Sequence, residues 1–276
     1  MMRVTVLGSG SAGNATLVEA EGVRVLIDAG FSGRDLAARL ESVEIPPESL
    51  QAILITHDHG DHSRGMGVLA RRYGVPLYLT PRTAAACARL LSGREVVRSY
   101  QAERQLRIGP LEVQPFLTVH DAADPIAITI RHVASGCRMG IATDLGRPTA
   151  AVRAALAGCH LLVLEANHDD AMLWQGPYPW SVKQRIASSH GHLSNRAAAE
   201  LAQELHHTAL GCVVLAHLSE HCNVPALARE VLGIALERIG YRGALSVAGP
   251  ARPLAPIDVM EIRRKVGATS EQLTLL

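Results

Sequence analysis

Lysine is almost missing from this chain: Lys183 and Lys265 are the only two in 276 residues. Aromatic residues are scarce too, at 3%. The positive charge is therefore nearly all arginine, and acidic residues offset it to a formal net charge of +1. That balance excludes a surface coated uniformly in positive charge, so any nucleic-acid contact has to come from a local patch. Five cysteines are present (Cys87, Cys137, Cys159, Cys212, Cys222) but form no CxxC pair and no regular framework. Most sit in apolar runs, which reads as buried free thiols in a reducing compartment. No apolar run approaches the ~20 residues a membrane span needs. Met1-Met2-Arg3 leads into a short apolar run and glycines rather than a signal peptide. A cytoplasmic protein that does not contact membranes is the expectation.

What is present is a hydrophobic fraction of 48%, enough for a real core, and an alternation of short β runs with helical stretches. Residues 3–7 read as a strand, 16–20 and 23–27 as a hairpin joined at Glu21-Gly22, and 52–56 as a buried strand. A helix at 63–73 and a strand at 76–79 follow. The middle is strand-rich, at 105–108, 111–118, 126–131 and 138–143. Then come a helix from Thr149, a strand at 161–164, a helix capped by Ser194, a strand at 212–216 and a helix opened by Asn223 and Pro225. Two β-rich halves, each accompanied by helices, imply an α/β fold of two sheets packed together with helices outside. Residues 1–266 are expected to form a single domain and 267–276 a flexible tail.

Gly8-Ser9-Gly10-Ser11-Ala12-Gly13 matches the dinucleotide fingerprint GxGxxG, with Asp28 at a suitable distance beyond it. The fingerprint works only where the glycines lead into a helix whose N-terminus holds a pyrophosphate. Residues 14–20 alternate and run into a tight hairpin instead, so a nucleotide cofactor is set aside. Ser9, Ser11 and Asn14, with the backbone N–H groups of this turn, are candidate contacts to an anionic substrate.

The strongest motif is Thr56-His57-Asp58-His59-Gly60-Asp61-His62, which contains HxHxDH and follows an apolar run. In an extended segment residues two apart point the same way, so His57 and His59 converge on one ion. Gly60 lets the chain turn, which carries Asp61 and His62 to a second position beside the first. Imidazole and carboxylate suit zinc, with manganese an option where carboxylates contribute. Two adjacent ions require further ligands at downstream strand ends, and His120, Asp144 and His217 each follow an apolar β run. The other histidines, His132, His160, His168, His206, His207 and His221, read singly as loop or core residues.

HxHxDH followed by a lone His, a lone Asp and a final His at strand ends resembles the metallo-β-lactamase-fold hydrolases. Further pieces resemble the YycJ/WalJ-type DNA exonuclease branch of that family. They include Thr143-Asp144-Leu145-Gly146, Glu165-Ala166-Asn167, Gly176-Pro177-Tyr178-Pro179, Gly191-His192-Leu193-Ser194-Asn195 and His217-Leu218-Ser219. The resemblance implies a four-layer αββα sandwich of two mixed sheets with a two-metal site at one edge. It implies that His57, His59 and His120 hold one ion, that Asp61, His62 and His217 hold the other, that Asp144 bridges them, and that Asp28 orients a ligand from behind. Two positions depart from the pattern: Cys222 stands where the family shows paired asparagines, and His168 where it shows tyrosine.

Two adjacent ions lower the pKa of a shared water and clamp both oxygens of an in-line displacement. Such a site serves phosphoryl and carbonyl centres alike. By resemblance to RNA-processing relatives, Glu165 and His192 form a pair in which Glu165 orients the ring and His192 either stabilises the phosphorane oxygen or protonates the leaving 3′ oxygen. Asp61, Glu165 and His192 are thus the residues assigned to catalysis. Tyr178, Lys183, Arg185 and Asn195 join Ser9, Ser11 and Asn14 as candidate substrate contacts. Trp174 and Trp180 flank the Pro-rich stretch, either as base-stacking surfaces or as an anchor for the loop. The last residues place Gln272, Leu273, Leu275 and Leu276 in a pattern resembling the peptides by which bacterial DNA enzymes bind the sliding clamp. The expected function is a binuclear phosphodiesterase, a DNA exonuclease. A small-molecule hydrolase acting on a thioester, lactone or cyclic phosphodiester is the alternative, and a non-catalytic metal-binding module a third reading.

Overall fold

A computed structural model describes residues 1–274, with side chains through Gly267. The first half of the chain supplies β1 (Met2–Gly8), β2 (Ala15–Ala20), β3 (Val23–Ile27), β4 (Ala52–Leu54), β5 (Leu77–Leu79) and β6 (Val97–Ser99). The second half supplies β7 (Leu106–Ile108), β8 (Leu111–Leu117), β9 (Ile126–His132), β10 (Arg138–Ala142), β11 (Leu161–Glu165), β12 (Cys212–Ala216) and β13 (Ala244–Val247). A final strand, β14 (Ile257–Asp258), returns to the first sheet beside β1. Each sheet has seven strands, ordered β14-β1-β2-β3-β4-β5-β6 and β13-β12-β11-β10-β9-β8-β7. Both are mixed in the same way. β1, β2 and β3 pair antiparallel and β3 to β6 parallel. β8, β9 and β10 pair antiparallel and β10 to β13 parallel.

Alternation along the strands builds three apolar layers. Val4, Val18, Val25 and Leu54 of the first sheet meet Val113, Ile128, Met139, Val163 and Val214 of the second in a shared core. The opposite strand face sends Leu162, Leu164, Val213 and Leu215 against Ala198, Leu201 and Leu232 of the helices Asn195–Glu204 and Pro225–Arg238. Leu17, Leu26 and Ile53 pack in the same way against Leu36, Leu40 and Leu69 of the helices Gly33–Glu41 and Met66–Tyr73. The result is the four-layer αββα sandwich. Leu162 has no exposed surface, and truncating it to Ala is expected to cost about 2–5 kcal/mol.

The expected hairpin at Glu21-Gly22 is present, with both residues at positive φ (49° and 81°), the backbone of a two-residue turn that matches strand twist. Residues 63–73, read as one helix, form two: Gly60–Ser63 and Met66–Tyr73. The break falls at Gly65, where a Cβ would lie 2.2 Å from the Phe31 carbonyl oxygen. At the end of the chain a helix spans Val259–Thr274, so the described backbone is helical across Gly267. Buried Val259 and Val266 dock its first turns, and a single glycine costs a helix only about 1 kcal/mol. The side chains of Gln272 and Leu273, and the whole of Leu275 and Leu276, lie outside the described residues, and the clamp-binding expectation rests on them. No described helix is long and apolar enough to cross a membrane.

Candidate metal centre

The parallel strands of both sheets end at a common edge, and chemistry-bearing residues sit just past those ends. Three of them occupy the left-handed backbone region: Asp28 after β3 (φ 62°), Asp144 after β10 (φ 57°) and His217 after β12 (φ 55°). A non-glycine residue held there costs roughly 1 kcal/mol or more and persists only where its surroundings enforce it. The HxHxDH segment leaves β4, and the short helix Gly60–Ser63 swings Asp61 and His62 inward. Gly30 makes room for this turn, because a Cβ there would lie 1.6 Å from the Asp61 carbonyl oxygen.

Ligand-type atoms of His57, His59, His120 and Asp144 lie within 4.8 Å of one another, as do those of Asp61, His62 and His217. Asp144 stands between the two groups. Its Oδ2 is 2.9 Å from His62 Nε2, and its Oδ1 is 3.5 Å from His120 Nε2 and 3.6 Å from His217 Nε2. Behind the cluster, acceptors hold one nitrogen of each of four histidines. His62 Nδ1 is 2.8 Å from Asp28 Oδ2, and His120 Nδ1 is 3.0 Å from the Gly191 carbonyl oxygen. His217 Nδ1 is 3.0 Å from Glu165 Oε1, and His57 Nδ1 is 3.1 Å from the Thr56 hydroxyl. Asp28 also accepts from the Thr56 backbone N–H and hydroxyl. Fixing Nδ1 on an acceptor turns the Nε2 lone pair toward the centre, which is how metal-binding histidines are held.

Whether these residues fit a metal can be tested on atoms that lack partners. His57 Nε2 is buried with no hydrogen bond, which is costly unless a cation completes it; Asp144 Oδ2 has His62 Nε2, 2.9 Å away, as its ion-pair neighbour. His59 Nδ1 and His120 Nε2 face each other at 3.3 Å. The carboxylates of Asp28, Asp61, Asp144 and Glu165 crowd the same region, and among the described residues only histidines form ion pairs with them. Burial pulls the His217 ring down, but Asp144, Asp61 and Glu165 outweigh it and hold it up at about 10. His62 is raised well above its ordinary range, against burial, by Asp144 and Asp28. Protons on these rings thus supply positive charge that the donor set demands, and divalent ions fit that demand.

Glu165 has no exposed surface and does not line the cavity; it is a positioning residue. It accepts from His192 Nδ1 at 2.7 Å, His217 Nδ1 at 3.0 Å and the backbone N–H groups of Asp144, Leu145 and Leu193. Burial pushes its carboxyl up, yet the His192 charge and the bonds from His192 and His217 hold it at about 2. His192 lines the cavity.

That cavity, of about 280 Å³, opens over Asp61, His120, Asp144 and His217. Of the seven candidate substrate contacts, Ser11, Tyr178 and Arg185 line it. The other four are buried braces. The Ser9 hydroxyl accepts from the His217 N–H and donates to Asn14 Oδ1, and Asn14 also sits 3.1 Å from His62 Nε2. The Lys183 ammonium donates to the Trp174 carbonyl oxygen at 2.8 Å, and Asn195 exchanges hydrogen bonds with Asn223. Trp174 and Trp180 are exposed, with ring centroids 5.2 Å apart, and neither lines the cavity. Asp121, Asn167 and Ser219 line it as well. Asn167 and Ser219 stand in the family-like pieces but are given no role there, and Asp121 is signalled only by its place next to His120.

Residues 23–218 match the family model described as a Beta-lactamase superfamily domain. The chain is 34% identical over 242 residues to exodeoxyribonuclease YycJ of Bacillus anthracis, covering 87% of this chain and 91% of that protein. It is also 34% identical over 234 residues to exodeoxyribonuclease WalJ of Streptococcus pneumoniae, covering 83% and 86% respectively. Among solved structures, the metallo-β-lactamase fold protein YhfI from Bacillus subtilis superposes with a TM-score of 0.72 at 20% identity, over 92% of this chain and 98% of that one.

Proposed function

The chain belongs to the β-lactamase superfamily and is a metal-dependent hydrolase; on that premise we propose that it is a DNA exonuclease working with two divalent ions, zinc or manganese. The observation that carries the reading is the group of His57, His59, His120 and Asp144 beside the group of Asp61, His62 and His217, with Asp144 reaching His62 at 2.9 Å and His217 at 3.6 Å over one cavity that His192 also lines. His57, His59 and His120 would hold one ion and Asp61, His62 and His217 the other, with Asp144 common to both. When bound, the ions supply Lewis-acid chemistry and a water of lowered pKa for in-line attack at phosphorus. The chain's own part is to hold and exclude. Asp28, Glu165, Thr56 and the Gly191 carbonyl fix the histidine rings so that little reorganisation accompanies the reaction. His192, with Nδ1 on Glu165, keeps its other ring nitrogen for the substrate and delivers a proton to the leaving 3′ oxygen. The DNA preference is supported by the activity in the names of the relatives YycJ and WalJ.

A second reading, a small-molecule hydrolase acting on a thioester, lactone or cyclic phosphodiester, is favoured by two observations: the cavity is small and the chain near neutral. One experiment separates the two. Purified protein is given end-labelled single- and double-stranded DNA and RNA with Mn²⁺ or Zn²⁺, beside an Asp144→Ala variant. Stepwise loss of nucleotides from DNA ends by wild type alone is expected. Turnover confined to small esters refutes the nuclease reading.

A further inference from the structure

The cavity wall carries one cation that the ligand cluster does not use. Arg185 is the sole lysine or arginine lining the cavity among the described residues. On the helix Trp180–Ile186 it shares the cavity-facing side with Val182 and Ile186, Arg185 and Ile186 lying three and four positions after Val182. Its Nη1 lies 3.9 Å from Oδ2 of Asp121, and both side chains are about two-thirds exposed (67% and 64%). Asp121 directly follows His120, and its backbone N–H donates to the His190 carbonyl oxygen at 3.1 Å. The Asp58 carboxylate steadies the same loop by accepting from the Ala123 N–H at 2.9 Å. The backbones that carry the two charges are therefore fixed, while the charges themselves touch loosely.

The cavity's carboxylates differ in what they are for. Asp61 and Asp144 belong to the ligand groups, whereas Asp121 faces the cavity with Arg185 as its ion-pair partner. An exposed pair at this separation is weak. A phosphate forms shorter, two-pronged, charge-assisted bonds with a guanidinium. We propose that Arg185 and Asp121 form a displaceable ion pair that selects polynucleotide over isolated phosphodiesters: the phosphate next to the scissile one replaces Asp121 on Arg185. This rests on the nuclease reading. An isolated diester occupies the ligand cluster and leaves the pair closed. A polynucleotide brings a second phosphate, and Asp121 is the negative charge it must outcompete. Arg185 is thereby a receptor and Asp121 its resident competitor.

The test uses Mn²⁺-loaded enzyme and two substrates, a single-stranded oligodeoxynucleotide and bis(p-nitrophenyl) phosphate. The readout is the ratio of kcat/KM on the first to kcat/KM on the second. Arg185→Gln is expected to lower that ratio about tenfold and Arg185→Lys less, because lysine keeps the charge but loses the fork. Asp121→Asn is expected to raise the ratio about threefold by removing the competing charge. In Arg185→Gln the logarithmic salt dependence of kcat/KM on the oligonucleotide becomes shallower by roughly 0.7, one phosphate contact on a single strand. Ratios within twofold of wild type in both Arg185→Gln and Asp121→Asn, with an unchanged salt slope, overturn the ion-pair proposal while wild type still degrades DNA. A wild type that turns over the small diester but not the oligonucleotide overturns the nuclease reading, and this inference with it.

Discussion

β3 of the first sheet leads to Asp28 and β10 of the second to Asp144, and these strands hold the same place in the two sheets, where antiparallel pairing gives way to parallel. Both aspartates are buried and left-handed. Asp28 spends its carboxylate on Thr56 and on the rear nitrogen of His62. Asp144 keeps its oxygens toward the inward-facing nitrogens of His62, His120 and His217. The next strands diverge as well: β4 delivers the dense HxHxDH segment, while β11 ends in Glu165, an acceptor for two rings. One strand plan thus makes a supporting residue in one half and, in the proposed site, a shared ligand in the other. What decides is whether the carboxylate's lone pairs are already taken.

That contrast sets an order of effects. Asp144→Asn removes the ligand proposed to serve both ions and is expected to abolish turnover, by at least about 10³-fold, with far-UV circular dichroism unchanged. Asp28→Asn leaves every ligand in place and loosens one ring, so metal affinity measured by chelator competition falls about 10–100-fold. Equal losses in the two variants would break the distinction between them. Stripping ions from wild type with a chelator is expected to lower the thermal midpoint by about 5 °C or more, because ions bind the folded state alone. The same treatment should barely move Asp144→Asn, and calorimetry reads both. The smallest effect concerns the buried thiols. Burial pushes Cys159 and Cys212 up to about 12, so at neutral pH neither should react with Ellman's reagent until the protein unfolds; rapid modification of either in native protein would contradict the packing of the second sheet.

The two halves also differ in how openly their residues declare a site in the amino-acid sequence. His57, His59, Asp61 and His62 lie within six residues and announce a metal site by density alone. His120, Asp144 and His217 are far apart in the chain and stand out only because each follows an apolar strand. The mixed sheets are legible because short continuous apolar runs such as Leu161–Glu165 read as strands buried on both faces. The roles of Ser9, Asn14, Lys183 and Asn195 are not legible. A polar residue near a site reads alike whether it touches substrate or braces a loop, and only burial and partners separate the two. Glu165 shows the same limit: its part beside His192 follows from resemblance, but not that five donors leave it no capacity to carry a proton. The C-terminal helix is hidden because Gly267 and the polar residues after it look like a tail, whereas the apolar positions that dock the helix, Val259 and Val266, precede them.

The central claim is that seven side chains from both sheets gather two ions around Asp144. Anomalous diffraction from crystals grown with Mn²⁺ tests it directly. Two peaks are predicted, one among His57, His59 and His120 and one among Asp61, His62 and His217, with the Asp144 carboxylate touching both. A pocket with no peak, or a single ion that Asp144 does not touch, would contradict the account.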